Sequence, residues 1–589
     1  MAKEFNNLVE LYLHSCETYG SKPALATKRA SGWSWTTFSQ LHAMIDQARG
    51  GLQAAGVARG DMVSVISNNR LEWAVCCYAT YGLGASYVPM YEKQLPKEWK
   101  FILEDSGSKI CIAATEDIYK QVKELQSEVA CLERVLCFEL PEDHEDSYAA
   151  LLATGSSNAV EPLMPESTDT AGFIYTSGTT GKPKGVVLTH GNITSNLNSL
   201  HRVFDLEISD VSLAFMPWAH SMGQTVELHG MLSYGAAVAI NDEIPNLLGN
   251  LADVKPTVLF AVPRIFNRIY DAVNKQIASK PGAIQSLVGN AINAATDQTL
   301  GNPVGFFGKL QLRIADRIVF EKVRQKFGGR LRYAVSGSAA LSKEVGEFID
   351  ALGIEVYEGY GLTETSPIAT ANIPGHRKIG SVGKPIPDVR IVIDREVTDD
   401  PKHGEIIIYG PNVMKGYHNR PEENAKVMMD DGGFRSGDMG YLDDDGYLYI
   451  SGRIKEQYKL QNGKYVVPSP LEEQLKLSPF VANIMIYGHN RPHNVALVIP
   501  DMDVVSIWAE EQGLQLSDDP ANNSALRDKL MAEVTKYGAE FKGYERPKAI
   551  AVLPGDFTTE NGMLTPTLKL KRRSVVGTYE SVLSGLYDA

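Results

Sequence analysis

The chain has 589 residues, more than one hydrophobic core usually holds, so several folding units are expected. Its 57 basic and 71 acidic side chains leave a formal charge of −14, which makes it a poor general binder of nucleic acid or of anionic membranes, so any polyanion must be held locally. With 44% hydrophobic, 22% charged and 8% aromatic residues, the composition excludes disorder, collagen and coiled coil as the main theme. The cysteines (Cys16, Cys76, Cys77, Cys111, Cys131 and Cys137) show no C-x-x-C spacing and read as reduced thiols of a cytosolic protein. The N-terminus lacks the apolar core of a secretory signal, and no uncharged apolar run reaches the roughly 18 residues that span a bilayer. A soluble, cytoplasmic protein is expected.

Residues 7–55 read as helical. From Asp61 to Tyr91, short apolar strands (62–66 and 85–89) flank an apolar helix around Trp73 to Tyr81, the β-α-β rhythm of a mainly parallel sheet. Residues 138–170 turn acidic and rich in Ser, Pro and Asn, which suggests a surface linker or an excursion between subdomains before a second α/β segment. From Val262 to Phe327 the pattern is helical: Ile265, Ile269, Val273 and Ile277 recur at four-residue steps, as do Leu310, Ile314 and Ile318. Arg313, Arg317, Lys322, Arg324 and Lys326 decorate the second row. A solvated face on a core-packed helix is the plain reading; a membrane-surface helix is the alternative that a greasy substrate would keep open. Beyond Pro374 short strands take over (389–393 and 405–409), with a hairpin across 441–450. The last 135 residues hold helix starts after Pro470, a hairpin from 482–487 to 494–499 and a basic end, consistent with a separate α+β domain.

The strongest local signal is Thr176-Ser177-Gly178-Thr179-Thr180-Gly181-Lys182-Pro183-Lys184-Gly185, set between two apolar strands. Such a loop offers backbone N–H groups, hydroxyls and ammonium groups to a polyanion. Pro183 after Gly181-Lys182 excludes a Walker A loop. A flexible hairpin tip is the plainer alternative, but three glycines, four hydroxyls and two lysines in ten residues weigh against it.

This run resembles the phosphate loop of the adenylate-forming superfamily, which holds acyl-CoA synthetases, peptide-synthetase adenylation domains and luciferases. Further matches follow in order: Tyr357-Glu-Gly-Tyr-Gly-Leu-Thr-Glu-Thr365 resembles the adenine and magnesium motif, Ser436-Gly-Asp438 with Ser451-Gly-Arg453 the ribose motif, and Thr565-Pro-Thr-Leu-Lys569 the C-terminal lysine motif. Ser336-Gly-Ser-Ala-Ala340 resembles the segment lining adenine and acyl group, and Met216-Pro-Trp-Ala-His220 the motif whose histidine stands near the substrate carboxylate.

Each motif also has its own physical sense. Gly359 and Gly361 let a flat base approach backbone, with Glu358 beside them and Tyr360 available to stack. Thr363 and Glu364 offer a hydroxyl and a hard carboxylate oxygen. If 443–446 form the hairpin turn, Leu442 faces Tyr447 and Asp438 faces Ser451, leaving Arg453 two positions on, so carboxylate and guanidinium meet at the hairpin's open end. A plain ion pair and a ribose contact both suit that meeting. Trp218 is left open between an acyl-pocket wall and core packing.

The resemblance is nearest to the long-chain fatty acyl-CoA synthetases, on Gly562–Arg573, on the long helical segment and on Tyr458–Val467. It implies an α/β fold: a large N-terminal domain (1–454) of two β-α-β subdomains plus a small β-barrel-like subdomain, and a smaller, mobile α+β C-terminal domain (455–589). It implies ATP, Mg²⁺ and CoA, a fatty acid as substrate and no nucleic acid. By the same carry-over, nucleotide and CoA contacts fall on Thr176 to Lys182, Lys184, Ser338, Ala339, Glu358 to Tyr360, Asp438, Arg453, Lys455 and Gly463, and magnesium on Thr176 and Glu364. His220, Thr363, Glu364 and Lys569 take part in the chemistry, with Lys571 as a competing assignment for the lysine. The hinge maps to Lys455, and Gly463 to the entry of the pantetheine arm. Two alternatives stand beside an acyl-CoA synthetase: a fatty acyl-AMP ligase that loads a carrier protein, and a catalytically silent nucleotide or acyl-CoA binding protein.

Overall fold

The computed structural model describes residues 3–176, 183–299, 302–339, 341–397, 400–516, 519–565 and 569–588. Two large sheets dominate. One has seven strands in the order Gly416–Tyr417, Lys184–Thr189, Thr170–Thr176, Ser86–Met90, Met62–Ile66, Ser108–Ala113, Arg134–Cys137. The other has nine, running from Lys384–Pro385 through Ile368–Ala371, Val356–Gly361, Tyr333–Ser336, Val258–Ala261, Val211–Ala214 and Ala237–Ile240 to Pro23–Arg29 and Gly32–Thr37. Their centres are parallel; both edges of the nine-stranded sheet and one edge of the seven-stranded sheet are antiparallel, while Arg134–Cys137 closes the other edge in parallel, so the interior strands are apolar on both faces.

The β-α-β expected over 61–91 is present, its two strands adjacent and parallel around helix Leu71–Gly82. Ten of that helix's twelve residues are buried, because Glu72 is its only charged residue and apolar side chains cover every face. It belongs to one continuous core that also takes in Val63 and Ile174 of one sheet and Leu25 and Val238 of the other. The helix therefore welds the two sheets together.

Residues 7–55 are not helical throughout. Helix Leu8–Tyr19 gives way to the hairpin Pro23–Arg29 and Gly32–Thr37, and a second helix spans Phe38–Ala54. Alternation over Gly32-Trp-Ser-Trp-Thr-Thr37 is the overlooked strand signal, and Thr37 with Gln40 forms the capping box that restarts the helix. The expected linker likewise contains helix Tyr148–Ser156, which docks on Phe38–Ala54 through glycine: a Cβ at Gly155 would lie 1.7 Å from the Gln47 carbonyl oxygen. Of the two helical rows, the first faces inward, with Val273 buried and Ile265, Ile269 and Ile277 packed on the core. The second does not: Leu310, Ile314 and Ile318 are exposed, while Ala315, Phe320 and Val323 on the other side of that segment are buried.

The small β-rich unit is a four-stranded antiparallel sheet in the order Arg390–Asp394, Gly404–Tyr409, Phe434–Leu442, Leu448–Arg453. Its last hairpin differs from the expected register. Leu442 pairs with Leu448, not Tyr447, and a bulge between Met439 and Gly440 sets Asp438 directly opposite Arg453. The C-terminal part has the hairpin Val481–Tyr487 and Asn494–Pro500, a parallel third strand Pro547–Val552, and a helix that begins at Pro468, two residues before the expected start. All six cysteines are free, and none of the described helices is long and apolar enough to cross a membrane.

Candidate active site

Strand Val356–Gly361 delivers the first group of side chains. Its end must run close to the following turn, since a Cβ at Gly361 would sit 1.7 Å from the Pro367 carbonyl oxygen. Tyr360 then donates its hydroxyl to Asp438 Oδ2 at 2.8 Å, while Arg453 Nε forms an ion pair with Asp438 Oδ1 at 3.0 Å. Both carboxylate oxygens of Asp438 are thus gripped, one from the nine-stranded sheet and one from its own hairpin. Burial raises the Asp438 pKa, partly opposed by the Arg453 charge, and Asp438 in turn raises that of Arg453. Ser451 turns away from this pair to His403, with its hydroxyl 3.0 Å from Nδ1.

Glu364 sits in the 3₁₀ turn Thr363–Thr365, whose geometry is held by Thr365: its Oγ1 donates to the Pro367 carbonyl and accepts from the Leu362 N–H. Tyr417 donates to Glu364 Oε1 at 2.7 Å. Tyr417 lies on the edge strand Gly416–Tyr417 paired to Lys184–Thr189, the strand that leaves the Ser/Thr/Gly/Lys loop. Lys184 places its ammonium 5.0 Å from the centre of the Tyr417 ring and ion-pairs with Glu423. Thr176 and Lys184 pair directly across the mouth of that loop, so the loop's base and Glu364 are joined through Tyr417. Ser177, Gly178, Thr179, Thr180, Gly181 and Lys182 lie outside the described residues.

His220 follows strand Val211–Ala214 by a turn that Asn69 secures: Asn69 accepts from the Trp218 N–H at 2.7 Å and donates to the Met216 carbonyl at 2.7 Å. Trp218 is fully buried against Trp73, ring centres 5.6 Å apart, which places it in the core. Burial lowers the His220 pKa to about 4, helped by the charge of Lys569, so the imidazole is neutral at ordinary pH. Thr363 is buried with its hydroxyl 3.4 Å from that of Ser221. Ser338, at φ +69°, points its hydroxyl at Met222 Sδ, 3.6 Å away, and Ala339 beside it is exposed. Burial raises the Glu358 carboxyl to about 7, against backbone hydrogen bonds from Gly380 and Leu341 that lower it.

The C-terminal part contributes Lys569. Its N–H donates to Thr565 Oγ1 at 3.0 Å and its carbonyl accepts from the Thr565 N–H at 2.8 Å, closing a tight loop whose tip (566–568) lies outside the described residues. Loss of water to the neighbouring protein is the largest cause lowering its pKa; Arg453 adds to this, and Asp438, Glu364 and Glu456 oppose it. The side chain is nonetheless exposed to solvent, as is that of Arg453 at 41%. Charged side chains that feel one another yet keep their own water line an open cleft. Lys571 begins helix Arg572–Thr578, and Arg572 clamps that helix by a two-pronged bond to Glu472 at 2.8 and 2.7 Å.

Asp438, Arg453, Glu364, His220 and Lys569 are thus brought together. Lys455, exposed in the turn Ile454–Glu456, adjoins them in sequence only, and Gly463 lies in an exposed turn of the hairpin Tyr458–Lys459 and Tyr465–Val466 at φ +84°. Asn69, Tyr417 and Glu423 escaped sequence reading. The alternation in Gly416-Tyr417 is too short to announce a strand, and only the edge pairing gives Tyr417 its place.

The donor set fits magnesium. No group of three or more His, Cys, Asp or Glu among the described residues could hold a metal unaided. Among them, Tyr417 is the one hydrogen-bond donor to the Glu364 side chain, which leaves carboxylate valence for a cation, and Tyr417 ties this carboxylate to the strand Lys184–Thr189 that pairs with Thr170–Thr176. One carboxylate and one hydroxyl, completed by water and phosphate oxygens, is how this ion is commonly bound at nucleotides.

Comparison with known proteins places this cleft in context. Residues 13–418 match the family model of AMP-binding enzymes, and residues 455–589 that of the AMP-binding enzyme C-terminal domain. The chain is 31% identical to the peroxisomal long chain acyl-CoA synthetase 7 of Arabidopsis thaliana, covering 99% of this chain and 87% of the relative. It is 32% identical to the long-chain-fatty-acid–CoA ligase FadD15 of Mycobacterium tuberculosis, over 94% and 93% of the two. Among solved structures, the adenylation domain of a carboxylate reductase from Mycobacterium chelonae shares the fold at a TM-score of 0.81, with 24% identity over 99% of this chain and 91% of that one. ATP-bound MatB from Rhodopseudomonas palustris does so at 0.72, with 22% identity over 98% and 100%.

Proposed function

The chain belongs to the family of AMP-binding enzymes, and from that premise we propose that it is a long-chain fatty acid–CoA ligase. The observation that carries the reading is the convergence, in one cleft, of an ammonium from the C-terminal part with a gripped carboxylate–guanidinium pair, a carboxylate held by Tyr417 beside the strand Lys184–Thr189 and a neutral histidine.

In the first half reaction a carboxylate oxygen of the fatty acid attacks the α-phosphorus of ATP. The bond from that phosphorus to the bridging oxygen breaks, and pyrophosphate leaves with the electron pair. Lys569 offsets the negative charge that grows on the phosphoryl oxygens, and the loop amides from Ser177 to Lys182 hold the leaving group. Magnesium, when bound at Glu364 and Thr176, screens the phosphate charges. Asp438 and Arg453 take the ribose hydroxyls, with Gly359 and Tyr360 against the base and Glu358, Ser338 and Ala339 flanking it. His220, neutral, faces the acid without drawing its charge away, and Thr363 supports the turn that aims Glu364.

In the second half reaction the CoA sulfur attacks the acyl carbonyl, AMP leaves, and the thiol proton passes to solvent or phosphate. Lys569 and a CoA thiol cannot both approach the same acyl phosphate from one side. Residues 455–589 therefore turn as a unit about Lys455, withdrawing Lys569 and bringing the turn at Gly463 to the cleft. Its exposure in the present arrangement suits a group that waits outside. Free cysteines suit a reducing cytoplasm, and an insoluble substrate suits peripheral contact with a membrane. The test is an assay with ATP and CoA across a ladder of fatty acids, quantifying AMP and acyl-CoA together. AMP without acyl-CoA would indicate loading of a carrier protein instead, and neither product would indicate a silent binding protein.

A further inference from the structure

The described residues expose eighteen large hydrophobic side chains, and five of them fall within residues 306–318. Phe306 and Phe307 are the most exposed of all, at 76% and 77%, followed along the same segment by Leu310, Ile314 and Ile318. Scattered singly, exposed apolar residues need no explanation; gathered on one helix, they do. Residues 306, 310, 314 and 318 form one row along helix Phe306–Ala315 and its continuation Asp316–Phe320. Lys309, Arg313 and Arg317 form a second row at the same spacing, about 100° round the helix from the first. All three are exposed, and none of Lys309, Arg313, Arg317, Lys322 and Lys326 takes part in an ion pair among the described residues. The opposite face is occupied: Ala315, Phe320 and Val323 pack on the core beside Val288 and Ala291.

The charge selects the occupant. Residues 305–330 carry seven basic and two acidic side chains in a chain whose net charge is −14. A second copy seated symmetrically on this face would set its own cations beside these, which like charges oppose. An anionic lipid surface complements both rows at once: acyl chains receive the phenylalanines and headgroups the cations, as for helices that lie in the interface plane. We propose that the face formed by Phe306, Phe307, Leu310, Ile314 and Ile318, with Lys309, Arg313 and Arg317, docks the protein on anionic lipid bilayers. This goes beyond the ligase reading and uses none of the cleft residues.

Sedimentation of the full chain with vesicles tests it, without reference to catalysis, so that its failure leaves the ligase reading standing. The protein is expected to sediment with vesicles of phosphatidylcholine and phosphatidylglycerol in equal parts, less as salt is raised, and hardly with phosphatidylcholine alone. Because every changed side chain is exposed, F306S/F307S and K309Q/R313Q/R317Q are expected to fold and to keep ligase activity on a water-soluble acid. The first should lower the partition coefficient at least about tenfold and the second roughly a hundredfold. Wild-type protein that stays in solution, or variants that sediment as it does, would overturn the proposal. So would a dimer, seen in sedimentation velocity and dispersed by F306S/F307S, in a protein that ignores vesicles.

Discussion

Glu227 offers a test of the structure that needs no substrate. It lies on the wide helix Met222–His229 that follows His220, is fully buried, and neither of its carboxyl oxygens has a hydrogen-bond partner. Burial is the largest cause and raises its pKa to about 8. Between the ordinary value near 4.5 and this raised one, the native protein holds a proton that the unfolded chain has released, so stability falls as pH rises through that window. The loss is absent below the unfolded pKa and complete above the folded one. At about 1.4 kcal/mol per unit, it reaches about 3 kcal/mol by pH 7 and about 5 kcal/mol above pH 8. Glu227→Gln removes the ionisation and keeps the shape. Its own buried amide shifts the baseline by a constant, so the slope is the readout. The variant's stability relative to wild type should climb by about 2 to 3 kcal/mol between pH 5 and pH 7, followed by urea unfolding of each protein at a series of pH values. Adenylation activity at neutral pH should be retained, since the wild-type group is already uncharged there. A difference that stays flat across pH would refute the reasoning and mean that Glu227 is ionised against a partner.

Lys569→Ala should lower acyl-AMP formation roughly a hundredfold to a thousandfold, measured as pyrophosphate release, while sparing thioester formation from supplied acyl-AMP; the same loss from Lys571→Ala instead would move the role. Glu364→Gln should raise the magnesium concentration needed for half-maximal pyrophosphate release. Tyr417→Phe, which only frees one Glu364 oxygen, should change that requirement by about tenfold or less, and an effect of Tyr417→Phe larger than that of Glu364→Gln would contradict the link drawn between them. Gly463 sits at φ +84°, and a Cβ there would meet only the Lys459 side chain, at 3.9 Å, so any side chain strains the turn while only a large one obstructs it. Gly463→Ala and Gly463→Leu should both leave pyrophosphate release intact, and Gly463→Leu alone should block acyl-CoA formation; equal loss in both would assign the effect to the turn.

Elements announced by period were legible in the sequence; those resting on pairing geometry were not. The parallel β-α-β unit over 61–91 announces itself by its alternation of apolar strand and apolar helix. The hairpin of Asp438 and Arg453 shows the limit. Counting from a presumed turn put Ser451 opposite Asp438, but the turn holds one residue more and a bulge adds another. The two shifts together bring Arg453 itself across. Neither shift has a residue signature, because a bulge is decided by how the strand twists against its neighbours. Tyr417 was invisible for a related reason: a two-residue strand has no period, and only the approach of Lys184–Thr189 gives it a place beside Glu364.

The second helical row makes the same point from the other side. Leu310, Ile314 and Ile318 follow the four-residue spacing that marks a buried face, and so, on a different phase, do Ala315, Val319 and Val323. A helix with two apolar stripes can bury either. Ala315, Phe320 and Val323 win the interior because the facing helix Gly282–Thr299 presents the small side chains Ala291 and Ala294, which admit close approach; Gly308 meets Ala294 in the same seam. The stripe left outside lies alongside cations spaced to match it, which a solvated face does not require. Period reports how many apolar stripes a helix carries; only the shape of its neighbour decides which stripe the core takes, and therefore which one is left for the surface to use.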